Sequence, residues 1–245
     1  MYRHIKSYEL RYTDVDAFDN LKLSSLLSFL EESACLSADE LGFGYEKVSS
    51  KNLGFIIVNL YIKLERNIKL GETVTIHTWP LKPRLLIFLR ESEIYVGNEK
   101  VGVATARWFM VNTKTFQPSP ASAFFEEGAF DNYNTQRSVE FSNWKIPALT
   151  DGKKVYSKLI TYSDYDHYFH ANNTKYADFL MDAFSVEELK ERDICSVQIT
   201  YAKQCKDGET IDIFRFDDGM CSIIEGRVGN ELRVQMRVEF DRAKN

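Results

Sequence analysis

Apolar residues recur along this chain in two rhythms, and the change from one to the other outlines its elements. Residues 2–12 (YRHIKSYELRY) alternate as a strand does. A polar stretch from Thr13 to Asn20 leads into a segment from about Leu21 to Leu41. There Leu23, Leu26, Leu27, Leu30, Ala34 and Ala38 fall on one face at helical spacing, and Gly42 closes the run. Residues 53–66 and 72–79 return to the strand rhythm, separated by a Lys-Leu-Gly turn. The runs 84–96 and 100–112 alternate strongly around Gly97-Asn98, a tight-hairpin signal. Between Thr113 and Lys153 both rhythms lapse, and Pro118, Pro120, Pro147 and Gly128 mark a connection. It is long for a loop, so it is expected to lie packed along the surface.

Beyond it the first half repeats. Tyr12, Asp14 and Asp16 fall, under one gapless shift, on Tyr162, Asp164 and Asp166, and Phe29-Leu30 on Phe179-Leu180. Gly71-Glu72-Thr73 then matches Gly208-Glu209-Thr210, and Val96-Gly97-Asn98-Glu99 matches Val228-Gly229-Asn230-Glu231. Three matches in the same order indicate two copies of one unit: strand, polar loop, helix, then several antiparallel strands. The expected boundaries are 1–118, a connecting segment 119–153, and 154–245. The fold class is α+β, with each unit a long central helix wrapped by an antiparallel sheet.

Candidate chemistry concentrates in Thr161 to Phe184. Asp164, Asp166, His167, His170, Asn172 and Asn173 are gathered just before apolar residues at helical spacing, namely Tyr176, Ala177, Phe179, Leu180, Ala183 and Phe184. Asn172 or Asn173 suits an N-cap. The helix start behind it offers N–H donors and a positive dipole end, which suit a carbonyl oxygen gaining negative charge in acyl transfer. A carboxylate and a histidine four residues apart suit activation of water or a thiol. The bland alternative is a polar loop with a helix cap.

Composition narrows the classes. Hydrophobic residues make up 44% of 245, enough for a core. The net charge of −5 gives nucleic-acid binding no support. Cys35, Cys195, Cys205 and Cys221 have no metal-ligand spacing and read as free thiols in a reducing compartment. The N-terminus has no apolar leader region and no window approaches a membrane span. A soluble cytoplasmic protein without metal or organic cofactor is expected.

The segment Asp166-His-Tyr-Phe-His170-Ala-Asn-Asn-Thr-Lys-Tyr176, with Tyr12-Thr-Asp-Val-Asp16 and Tyr201-Ala-Lys-Gln-Cys205, resembles the acyl-ACP thioesterases of bacteria and plastids, where ACP is acyl carrier protein. The resemblance implies a tandem hotdog fold and covers Tyr8 to Phe240. Against the family pattern D-x-N-x-H-x-N-N-x-K-Y, Asp166, His170, Asn172, Asn173, Lys175 and Tyr176 match residue for residue. Tyr168 replaces the asparagine implied to hold substrate or water. Gln204 replaces the glutamate implied to assist the base, and Gln204 cannot take up a proton. The catalytic candidates are therefore Asp166, His170, Gln204, Cys205 and Tyr168, with Asn172 and Asn173 binding substrate. For Cys205 a nucleophilic role and the commoner role of a buried small residue are both open.

The resemblance further implies hydrolysis of fatty acyl thioesters on ACP, with the first unit holding the acyl tail and the second cutting the thioester. Phe18, Phe29, Phe55, Phe88, Trp108 and Phe109 are acyl-channel candidates. An acidic carrier protein requires local positive charge, for which Lys63, Arg66, Lys69, Lys203 and Lys206 are candidates. The assembly is a monomer or a homodimer. The rivals are a coenzyme A thioesterase, a hotdog dehydratase, and a non-catalytic protein that binds acyl thioesters.

Overall fold

The chain is described here by a computed structural model, in which residues 1–167 and 169–242 are defined. The first half comprises β1 (His4–Glu9), α1 (Leu23–Glu40), α2 (Tyr45–Ser49), β2 (Leu53–Leu64), β3 (Thr73–Pro80), β4 (Ile87–Val96) and β5 (Glu99–Asn112). The second comprises β6 (Lys153–Leu159), α3 (Asn173–Met181), α4 (Val186–Lys190), β7 (Arg192–Tyr201), β8 (Thr210–Asp218), β9 (Cys221–Val228) and β10 (Glu231–Arg242). The strand rhythms thus end where turn chemistry stops them: Gly97 and Gly229 adopt φ of 57° and 58° at the two hairpin tips.

All ten strands join one antiparallel sheet in the order β1-β3-β4-β5-β2-β7-β10-β9-β8-β6. Each half supplies five strands in the same internal order. The seam is β2 against β7, from Asn59 opposite Thr200 to Lys63 opposite Ser196. The central helices α1 and α3 pack against each other, α1 also against β1 and β3 and α3 against β9, and the two share one core with the sheet. Leu26, Leu27 and Leu30 of α1 and Tyr176, Ala177 and Leu180 of α3 share a single core with Ile62, Ile76, Ile94, Ile199 and Met236. Gly226 sits where β9 faces that core. A methyl group there would meet Ile211 Cδ1 at 2.5 Å and Val234 Cγ1 at 3.0 Å. Gly226→Ala is expected to cost about 1–3 kcal/mol by overpacking, read from the urea midpoint.

The two helices differ in length. Helix α1 runs 18 residues and ends at a left-handed Gly42, φ 80°. Helix α3 runs only 9, so the long helix expected in the second unit is broken. The cause is local. Ser185 and Glu188 cap each other reciprocally, Ser185 N–H donating to Glu188 Oε2 at 2.7 Å, which starts α4 afresh. Ala183 and Phe184 remain buried, so their apolar spacing continued past the helix that it suggested.

The connecting segment is a strap across the sheet face opposite the helices, as expected of a long loop in a compact chain. Arg90 and Ile224 face inward, so their neighbours Glu91 and Glu225 face out, and the strap covers both. It visits the strands in sheet order. Arg137 and Ser138 bond Glu91 of β4, and Phe141 stacks on Tyr61 of β2 with centroids 3.9 Å apart. Asn143 O then accepts from Gln198 of β7, Pro147 O from Gln235 of β10, and Leu149 N–H donates to Glu225 of β9.

Candidate active site

The loop before α3 is built like the loop before α1. Tyr12–Asp14 and Tyr162–Asp164 each form a single 3-10 turn closed by an aspartate that accepts from the residue three before it. Asp16 N–H donates to Asn20 O at 2.8 Å, and Asp166 N–H to His170 O at 2.9 Å. Asn20 N–H returns to Asp16 Oδ1 at 2.9 Å, and His170 N–H to Asp166 Oδ1 at 3.3 Å. Lys22 N–H reaches Asp14 O, and Asn172 N–H reaches Asp164 O. The gapless repeat read in the sequence is therefore a repeat of backbone geometry. Side chains alone distinguish the copies, with His170 where the first has Asn20 and Asn172 where it has Lys22.

Asn172 is the N-cap of α3. Its Oδ1 accepts from Thr174 N–H and Oγ1, both at 2.8 Å. Asn173 begins the helix and, with Thr174, lines a cavity between α1 and the inner face of the first-half sheet. Leu27, Leu30, Ile57, Leu60 and Trp108 form much of its apolar wall. The N-terminal end of α3, where N–H groups and the helix dipole favour negative charge, thus stands at an apolar chamber supplied by the other half. Asp166 and His170 are half-buried in the turn leading into this end and are not among the cavity walls.

Tyrosines lock the two motif segments together. Tyr201 donates from its hydroxyl to Asn173 O at 3.2 Å, and Tyr176 OH accepts from Cys205 N–H at 2.7 Å. Burial pushes both phenols far up, so neither ionises near neutral pH. Gln204 is exposed. Cys205 is 2% exposed and packs in the core, and burial raises its thiol further above neutral. Its position is that of the buried small residue, and the nucleophile reading gains no support. Tyr168 lies outside the described residues. His167 is exposed and packs edge-on against Tyr45 of α2 at 5.7 Å.

Among the aromatic candidates Trp108 lines the cavity, Phe29 belongs to the main core, and Phe55 and Phe88 pack together beside Phe43. The basic candidates are largely engaged with acids. Lys63 pairs with Glu65 at 2.9 Å, Arg66 with Glu72 and Glu99, and Lys203 with Glu231 at 2.6 Å.

Sequence reasoning passed over Glu31. On α1 it follows Leu27 and Leu30 and precedes Ala34, so it occupies an apolar-face position at helical spacing. A charge on that face was the available signal. The half-buried Glu31 lines the cavity with Asn173 and Tyr201. Its carboxyl is held above the ordinary carboxylate range, first by burial and next by the nearby charge of Asp166. Two carboxylates, one from each half, therefore sense each other beside the start of α3.

The profile of the acyl-ACP thioesterase N-terminal domain matches residues 1–122, and that of the C-terminal domain matches residues 151–238. A chloroplastic acyl-(acyl-carrier-protein) hydrolase of Cuphea viscosissima is 25% identical over 219 residues, covering 82% of this chain and 52% of its own. A chloroplastic palmitoyl-acyl carrier protein thioesterase of Cuphea hookeriana is 24% identical, covering 82% and 51%. The chain thus spans about half the length of the curated relatives it matches. A crystal structure of an acyl-ACP thioesterase from Bacteroides thetaiotaomicron matches with TM-score 0.89 at 21% identity, covering 98% of both chains. The 12:0-ACP thioesterase from Umbellularia californica matches with TM-score 0.82 at 17% identity, again covering 98% of both. These likenesses establish the tandem hotdog fold, and the two profiles, matching in order over both halves, establish more: the chain belongs to the acyl-ACP thioesterase family.

Proposed function

We propose that this chain hydrolyses fatty acyl thioesters carried on acyl carrier protein, releasing the free acid and the carrier thiol. The observation that carries this reading is an apolar chamber walled mainly by one half and met by the N-terminus of α3 and by the Glu31 carboxyl, which senses Asp166. The acyl tail lies in the first-half chamber, out of water. Its thioester carbonyl sits at the first turn of α3, with the oxygen toward the helix N-terminal N–H groups. Those donors favour the charge that grows on that oxygen.

Asp166 or Glu31, as carboxylate, takes a proton from a water whose oxygen bonds to the carbonyl carbon. The C–S bond breaks, and His170 passes a proton to the departing thiolate. Asn172 holds the helix start in place and Asn173 contributes the first turn, so both act through the carbonyl's surroundings. Gln204 and Cys205 have no part in these steps. A duplicated unit supplies within one chain what a pair of single units would supply, so a monomer suffices for the reaction.

The test is free-thiol release from matched acyl-ACP and acyl-coenzyme A esters. The expected result is turnover with kcat/KM higher on the ACP esters at equal chain length. Preference for the coenzyme A esters would replace the carrier assignment. Tight acyl binding without thiol release from either would replace hydrolysis by a binding function.

A further inference from the structure

The cavity that we assign to the acyl tail is not apolar throughout. Arg90 of β4 lines it and is 9% exposed. Its Nη1 donates to Ser37 Oγ on α1 at 2.9 Å and, at 3.4 Å, to Thr78 Oγ1 on β3. Among the described residues no carboxylate pairs with it. Buried cations ordinarily have an acid partner, because an unpaired charge loses its hydration without return. Burial lowers the guanidinium only to about 10, so it stays charged at neutral pH.

The same wall holds a donor that is unmatched among the described residues. Trp108 of β5 lies diagonally across from Arg90, since Arg90 faces Ala106 and Phe88 faces Trp108 in the β4–β5 register. The indole lines the cavity, and its buried Nε1–H has no acceptor. Placement along α1 gives the arrangement a direction. Glu31, at the thioester end, precedes Ser37, which bonds Arg90, by six residues, or about 9 Å of helix axis. An acyl chain running along α1 from the first turn of α3 therefore leads toward a cation without a carboxylate partner and an indole N–H without an acceptor among the described residues.

We propose that this cavity selects acyl chains bearing an accepting oxygen at their distal end, a terminal carboxylate above all, which pairs with Arg90. The inference rests on the thioesterase reading above and names its substrate class. A carboxylate suits the guanidinium fork, and the pair forms where water does not compete. A hydroxyl accepts from the same donors with less gain.

The test uses ACP thioesters in a series of chain lengths with three termini: methyl, ω-hydroxyl and ω-carboxylate. At the length that reaches Arg90, kcat/KM is expected to favour the carboxylate over the methyl terminus by about tenfold or more. Arg90→Met should reverse the order, and Arg90→Lys should restore part of it. A binding measurement needs no variant: a free α,ω-dicarboxylic acid should raise the melting temperature of the native chain more than the monocarboxylic acid of equal length.

Methyl-terminated esters preferred at every length, or an unchanged order in a folded Arg90→Met protein, would overturn the proposal. Equal melting shifts from the two acids would do the same. Those outcomes leave thioester hydrolysis standing. Absence of turnover on every ester defeats the hydrolysis reading instead, and the melting shifts then decide the subsite by themselves.

Discussion

Exchange of Glu31 for glutamine should slow thioester hydrolysis by on the order of 10²-fold while making the folded chain harder to melt. The two effects share one cause. Glu31 lines the cavity beside the start of α3, and its carboxyl is raised above the ordinary range by burial and by Asp166. A carboxyl raised on folding binds more protons in the native than in the unfolded chain, so its ionisation lowers stability as pH climbs. Below the ordinary glutamate range, near 4.3, both states are protonated and the variant should melt as the parent does. Above that range the parent should lose stability relative to Glu31→Gln, with the gap complete once pH passes the raised value. Activity runs oppositely, since the base must be ionised to act. Its acid limb should therefore lie above the ordinary carboxylate range in the parent. Asp166→Asn should reduce turnover to a similar degree, and by relieving Glu31 of a neighbouring charge should shift the remaining limb to lower pH. Calorimetric melts and kcat against pH for the three proteins check both halves. A Glu31→Gln protein with parental turnover would leave Asp166 as the sole base.

Glu91→Ala should cost about 3–5 kcal/mol, the largest single loss of stability expected in this chain. Glu91 is fully buried, yet its strand position faces away from the helices. Its carboxylate accepts from Thr105 Oγ1 at 2.8 Å, Arg137 Nε at 2.8 Å, Ser138 N–H at 2.9 Å and Ser138 Oγ at 2.7 Å. Truncation strands the Arg137 charge, whose buried Nη2 already has no partner, and lifts the strap where it first meets the sheet. The urea midpoint should fall, and limited proteolysis should cut residues 113–152 before the rest of the chain opens. A midpoint shift worth under about 1 kcal/mol would mean that the strap holds elsewhere.

Local periodicity was enough to read α1 and the strands, because each depends on neighbours within a few residues, and the duplication was legible as short motifs recurring in the same order in the second half. The hairpin at Gly97-Asn98 and the capped start of α3 at Asn172 were equally local. The β2–β7 seam was not, since alternation marks a strand without naming its partner. Glu91 looked like an ordinary solvent-facing strand residue, because only a strap arriving from 46 positions onward removes it from water. The same distance effect hid Glu31, whose surroundings are assembled from both halves. Gln204 and Cys205 show the converse. Their candidacy beside Asp166 came from the resemblance, and the alternation around Tyr201 did not say which of the two would face the core.

Asp19 and Phe169 hold φ of 60° and 61° at equivalent points of the two loops, a left-handed backbone that few side chains adopt willingly. Strain of this kind in a loop such as Asp166–His170 invites a catalytic explanation. The other copy removes that explanation, because Asp19 takes the same angle in a turn closed by Asn20, which transfers no protons. The strain belongs to the unit's architecture. For redesign, the first half is thus a second socket already shaped: Asp16 is in place, and Asn20→His would set an imidazole on a backbone that needs no remodelling.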